Sequence, residues 1–160
     1  MIVADTSALI SLASIDLFET LAEEFNVHTT ETVIEELEQT AEYKDSDAEA
    51  AEAVLEEIGK VSVHSVDRKF KSSRIDGGEG SCSALTRKIE TDFLITDDLR
   101  ALPELQKTAD SKVAISPIVL KALVKREKLG RDEAVKKLDK LAEKREWLGS
   151  PIYRRAKDLF

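Results

Sequence analysis

Apolar residues follow two rhythms along this chain. Short apolar or β-branched runs alternate with longer stretches whose apolar positions recur every three or four residues. IVAD (2–5) predicts a strand that ends on an acid. SALISLASI predicts a helix after it, capped by Thr6 or Ser7, and Asp16 opens a second helical stretch, DLFETLAEEF. VHTT (27–30) predicts a strand. TETVIEELEQ (30–39) predicts a helix with Thr30 as its cap and Val33, Ile34 and Leu37 on one face. The Ala- and Glu-rich segment 45–60 predicts a further helix stopped by Gly59.

The alternating VSVHSV (61–66) predicts a strand, residues 67–77 a polar loop, and 78–90 a helix after the glycine pair. FLITDD (93–98) predicts a strand ending in two acids, followed by a short helix near Pro103 and the strand KVAIS (112–116). A helix from Pro117 through Lys128, ended by Gly130, a long amphipathic helix over 131–149 and a last short helix in SPIYRRAKDLF complete the pattern. Strands alternating with helices predict an α/β fold with a central parallel sheet and helices on both faces.

At 160 residues the chain fits one domain and can bury roughly two-thirds of its unfolded surface, so it needs no disulfide. Cys82 is the only cysteine, which points to a reducing interior. The N-terminus starts on an apolar strand without a basic leader, and no apolar run is long enough to span a membrane. A cytoplasmic protein is expected.

The net charge of −8 argues against a nucleic-acid partner until its distribution is considered. Residues 112–160 hold 14 Lys+Arg against 7 Asp+Glu, whereas residues 1–111 hold 10 against 25. The basic third is either a set of solvated helix faces or a phosphate-contacting surface beside an acidic body that carries metal ligands.

In open α/β sheets, ligands bind beyond the C-terminal ends of the strands. Asp5 and the pair Asp97–Asp98 stand at such ends, Glu79 opens a helix after two glycines, and Glu35 and Glu36 lie on the helix after the second strand. Four acids from separate segments can therefore meet at one sheet edge. Two unit charges about 4 Å apart repel by roughly 4 kcal/mol at an effective dielectric of about 20, so such a cluster calls for a hard cation. Mg²⁺ and Mn²⁺ take oxygen ligands and can activate water against a phosphodiester. His28 and His64 are far apart in sequence and lack ligand spacing, so both are read as structural.

The segments MIVADTSAL (1–9), VIEEL (33–37), GGEGSCSAL (77–85) and LITDDL (94–99) resemble, in order, the four acidic motifs of PIN-domain nucleases. The resemblance covers roughly residues 1–125. It implies a three-layer α/β/α fold and a Mg²⁺- or Mn²⁺-dependent endoribonuclease, either a VapC-like toxin or an RNA-processing enzyme. It assigns the catalytic acids to Asp5, Glu36, Glu79 and Asp98, with Asp5, Glu79, Asp97 and Asp98 as metal ligands and Glu35 facing solvent. Thr6, Ser7 and Thr96 match supporting hydroxyl positions. The implied partners are RNA, an antitoxin protein in the toxin case, and a second copy of the chain. The region 126–160 departs from the compact toxin pattern as a basic helical extension packed on the 1–125 domain.

Each of these residues also has an ordinary reading. Asp5, Asp97 and Asp98 can be helix caps, Glu36 part of a solvated face, and Glu79 a partner of a helix dipole. Cys82 reads as a small buried residue, and Trp147 as a packing or dimer contact rather than a base platform. Arg87, Lys88 and Arg100 are candidate RNA contacts or salt-bridge partners. Two other functions compete with the nuclease. An aspartyl phosphatase would use Asp5 as nucleophile, but its pattern wants an acid where Ser7 stands. A non-catalytic PIN-like module would bind RNA or protein without cutting.

Overall fold

The computed structural model describes residues 1–66 and 77–160, so the predicted loop lies almost wholly outside the described residues. Among the described residues, five strands form one parallel sheet: β1 (Ile2–Ala4), β2 (Val27–Thr30), β3 (Ser62–His64), β4 (Phe93–Ile95) and β5 (Lys112–Ala114). Their order is β3-β2-β1-β4-β5. Val3 is in register with His28 on one side and Leu94 on the other. All three residues of β1 are buried, as a strand covered on both faces requires.

The helices are α1 (Thr6–Ser14), α2 (Phe18–Glu24), α3 (Glu31–Ala41), α4 (Ser46–Glu56), α5 (Gly77–Thr86), α6 (Leu102–Thr108), α7 (Pro117–Lys125), α8 (Arg131–Lys144) and α9 (Pro151–Lys157). The chain runs outward from β1 to β3, then crosses back to β4 and β5. With right-handed crossovers, that reversal puts the first helices and α5–α6 on opposite faces. Accordingly α1 packs on α2, α3, α4 and α8, and α5 packs on β1, β2, β4 and α6, while α3 and the start of α5 meet beyond the sheet edge through Glu36 and Gly78. The architecture is thus the expected α/β fold with a central parallel sheet flanked by helices. The strand order reverses at β1, so the crevice beyond the C-terminal ends of β1, β2 and β4 is the natural ligand site.

The helices after residue 125 join the same core. Ala134, Leu138, Leu141, Ala142, Trp147, Ile152 and Ala156 belong to one hydrophobic cluster with Leu9, Leu12 and Leu94. Much of the basic charge in this region has a structural task. Lys144 and Lys137 donate to the carbonyls of Ser14 and Ile15, and Lys140 lies 3.7 Å from Asp16. These ammonium groups satisfy carbonyls at the C-terminus of α1 and favour its dipole. Arg126 likewise donates to the Glu24 carbonyl and lies over the Phe25 ring.

Several helix ends differ from the sequence expectation. α1 is capped by Asp5, whose carboxylate accepts the Ala8 N–H, rather than by Thr6 or Ser7. Asp16 does not open α2. It holds a left-handed conformation (φ 59°) just past α1, with the Leu17 N–H returning to the Leu12 carbonyl. α7 stops at Lys125 and α8 at Lys144, and each is followed by a left-handed glutamate, Glu127 (φ 59°) and Glu146 (φ 56°). The Lys128 N–H bonds to Leu123 and the Trp147 N–H to Ala142, so both ends are Schellman motifs. Gly130 is therefore the N-cap of α8, not the stop of α7. Gly59 lies in a short 3-10 turn (Ile58–Lys60) after α4 rather than ending it.

A side chain in the left-handed region costs about 1 kcal/mol that glycine avoids. Glu127→Gly should therefore raise the melting temperature by about 2–4 °C in a chain of this size. A calorimetric scan checks this, and an unchanged or lower melting temperature would refute the strain argument.

Candidate active site

Asp5 stands where β1 passes into α1 and is 1% exposed. Its Oδ1 accepts the Ser7 hydroxyl (2.8 Å) and the Ala8 N–H (3.0 Å). Its Oδ2 is buried without a hydrogen-bond partner. Burial pushes its pKa up to about 7, against the nearby Thr96 hydroxyl and the bonds from Ala8 and Ser7 that pull it down, and the Asp97 charge adds to the rise. The protonated acid favours the fold fully below the ordinary 3.8, and this contribution is lost as pH rises through about 7. A cation beside Oδ2 would reverse the penalty at neutral pH.

Ser7 links this acid to the loop after β4. Its hydroxyl oxygen accepts the Asp97 N–H at 2.9 Å and lies 3.5 Å from the Thr96 hydroxyl. Asp97 turns its carboxylate away to Ser116, accepting that residue's N–H and hydroxyl at 2.7 Å each. Burial raises its pKa, opposed by Ser11, by the Ser116 donors and by the Arg145 charge. Asp97 thus ties β4 to the start of α7, a structural role for a residue expected among the metal ligands. Asp98 is the acid of the pair that faces open space. Its Oδ1 accepts the Arg100 N–H at 2.9 Å, and its side chain is 25% exposed.

Glu36 reaches across from α3. Its Oε1 accepts the Thr6 hydroxyl at 2.5 Å and its Oε2 the Gly78 N–H at 3.1 Å. It therefore supplies a partner for the first turn of α5, while its neighbour Glu35 is exposed. A Cβ at Gly78 would meet Glu36 Oε1 at 2.0 Å and Thr6 Oγ1 at 3.2 Å, so only glycine lets α5 begin so close to the carboxylate. Glu79 follows in the first turn of α5 and is buried.

Asp5, Thr6, Ser7, Glu36 and Glu79 line a cavity of about 20 Å³. That is room for about one water or one small ion. Outside it, Glu36, Glu79 and Asp98 share a cleft of about 420 Å³ with Gln39, Thr40, Tyr43, Asp47 and Arg145. The four sequence-predicted acids therefore gather at one sheet edge but not around one point. Among the described residues, no three carboxylate, histidine or cysteine side chains stand as a ready metal cage. The carboxylate and hydroxyl side chains that line the cavity and the orphaned Asp5 oxygen still fit a hard cation, since Mg²⁺ is commonly held by one or two carboxylates and its own waters.

The other candidates separate. Arg100 lines a neighbouring cleft with Asp97 and Asp98. Arg87 donates twice to the Thr108 carbonyl, and neither it nor exposed Lys88 lines these clefts. Cys82 is buried. Trp147 is buried too and lines the Arg100 cleft. His28 and His64, distant in sequence, meet on adjacent strands β2 and β3 with ring nitrogens 2.8 Å apart. Burial, with His64 beside it, lowers the His28 pKa.

Sequence reading missed Gln39, Thr40, Tyr43, Asp47 and Arg145. Gln39 and Thr40 lie three and four residues after Glu36, a spacing that places them on its helix face, and Tyr43 lies just past the end of that helix. Arg145 had no such signal.

Gly78→Ala tests the Glu36 contact. Better helix propensity and the lost hydrogen bond are each about 1 kcal/mol and offset one another, so the melting temperature should barely move. The RNA cleavage implied by the motifs should fall about 10–100-fold, the usual effect of losing a support to a metal site. Cleavage at the parent rate would show that Glu36 needs no fixed position.

Comparison with known proteins agrees with this geometry. No curated protein and no solved structure matches the chain. The family model DUF3368, described as a PIN domain, matches residues 1–160. The chain belongs to the DUF3368 family of PIN domains.

Proposed function

We propose that this protein is a Mg²⁺- or Mn²⁺-dependent endoribonuclease whose working acids are Asp5, Glu36, Glu79 and Asp98. PIN domains are typically nucleases and generally use divalent metal ions, which makes a nuclease-type fold the starting point. The observation that carries the reading is the buried Asp5 carboxylate, one oxygen of which is unpartnered, in a residue that lines a small cavity with Thr6, Ser7, Glu36 and Glu79 beside an acid-lined cleft. A divalent ion, when bound, supplies positive charge for the scissile phosphate and acidifies the attacking water.

The protein residues have separable tasks. Asp5 and Glu79 are the residues that would hold the ion. Ser7 fixes the Asp5 rotamer, and Thr6 fixes Glu36. Asp98, on the open side of the cleft, faces the approaching strand and can orient or deprotonate a water.

The natural substrate is RNA in this reading, and the site of action is the cytoplasm. No helix among the described residues is long and apolar enough to cross a membrane. A VapC-like toxin restrained by an antitoxin and an RNA-processing nuclease would use the same cleft. A homodimer is part of the same reading.

A second reading has one observation in its favour. Because no three carboxylate, histidine or cysteine side chains among the described residues form a metal cage, the chain also suits a non-catalytic module that binds RNA or protein.

Titration of Mn²⁺ and Mg²⁺ into wild type and into Asp5→Asn/Asp98→Asn, with a mixed pool of structured and single-stranded RNA, decides between the two. The nuclease reading expects metal-dependent cutting. It also expects the double variant to lose more than the roughly 10–100-fold typical of one supporting contact. Tight RNA binding without cutting in either metal would establish the binding module.

A further inference from the structure

Three clefts of about 410–420 Å³ open on one side of the molecule, and Arg145 lines all of them. The first holds Glu36, Glu79 and Asp98, the second Asp97, Asp98, Arg100 and Trp147, and the third Asp45, Asp47 and Lys144. Ser7 and Asp98 also line both of the first two, so those clefts run into each other beside Arg145.

Arg145 is the C-cap residue of α8, placed by the left-handed turn at Glu146. Its side chain is 17% exposed. Its Nη1 donates to Asp47 Oδ1 at 3.0 Å, across from the first turn of α4. Its Nε is buried and has no hydrogen-bond partner. A strand therefore reaches only the part of the guanidinium that lines the clefts, and a guanidinium is the side chain that grips phosphate with charge-assisted hydrogen bonds. The walls on either side are acidic and would repel a nucleic-acid strand without a fixed cation between them. Arg100, the other arginine in these clefts, is highly exposed and lies 3.7 Å from Asp98.

We propose that Arg145 is the phosphate-binding residue of this cleft, holding one phosphodiester with the part of its guanidinium that lines the cleft while Asp47 holds the guanidinium in place. The inference rests on the reading of the protein as a nuclease and assigns that site its backbone contact. It also gives the C-terminal helices a part in substrate binding. Asp47 is a competing anion as well as a support, so its removal frees the guanidinium for substrate.

The test uses full-length wild type, Arg145→Met, Arg145→Lys and Asp47→Asn. Cleavage of a labelled single-stranded RNA 12-mer in Mn²⁺ gives kcat and KM. Anisotropy of the same RNA in Ca²⁺, over a range of salt, gives binding and its salt slope, and a thermal melt of each variant accompanies both. Arg145→Met should raise KM at least tenfold with kcat within threefold, as expected for a contact made equally before and during reaction. Its salt slope should flatten by about 0.7, the loss of one phosphate contact to a single strand. Arg145→Lys should restore the slope but only part of the affinity. Asp47→Asn should lower KM about two- to fivefold.

If the bridge to Asp47 is only structural, Arg145→Met and Asp47→Asn will both lower the melting temperature and kcat and leave KM and the salt slope alone. That result overturns the proposal while the nuclease stands. If wild type binds with the Arg145-dependent slope and never cuts, the phosphate contact stands and the nuclease falls. If wild type neither binds nor cuts, both are overturned.

Discussion

The carboxylate of Asp5 sits where the first strand becomes the first helix, buried, with one oxygen holding Ser7 and Ala8 and the other bonded to nothing. The first oxygen does what an N-cap does for any helix. The second is a charge in a poor solvent, and its cost appears as the raised pKa of the group. A fold with no use for that oxygen would do better with serine or asparagine at the same cap. The retained acid makes sense if something positive occupies the adjoining cavity, and the rest of the site is organised around that position.

Two sets of hydrogen bonds hold the surroundings. Ser7 connects Asp5 to the loop after β4, and Asp97 connects that loop to α7 through Ser116. On the other side, Thr6 and Gly78 clamp Glu36, which brings α3 against the start of α5. The acids therefore arrive from elements that the strand order itself brings together. β1 lies between β2 and β4, so the segments following all three open onto one crevice. The far C-terminal helices complete the enclosure through Arg145 and its bridge to Asp47.

Much of this was legible in the sequence, because strand-end acids and helix-face acids are local signals. Alternation of strands and helices predicted the parallel sheet, and the ordered motifs picked out Asp5, Glu36, Glu79 and Asp98. The failures are also physical. Glycine was taken to mark helix ends, whereas Asp16, Glu127 and Glu146 hold left-handed turns because tertiary packing and Schellman hydrogen bonds outweigh their strain. The motif placed Asp98 first and Asp97 second, and only the approach of Ser116, which the sequence does not show, reveals that the Asp97 carboxylate is bonded toward α7. The meeting of His28 with His64 depends on strand register, which spacing does not reveal. The tasks of the basic third were hidden for the same reason. Lys137, Lys144 and Arg145 take their meaning from partners more than ninety residues away.

The central claim is that Asp5 is held protonated or cation-paired near neutral pH by its burial. Carbon-detected NMR titration of the aspartate carboxyl groups tests it most directly, with Asp5→Asn identifying the signal. In metal-free protein the account predicts a midpoint near 7, far above the ordinary 3.8, and a clear fall when Mg²⁺ is added. A midpoint near the ordinary value, unmoved by Mg²⁺, would contradict it and leave Asp5 as a helix cap alone.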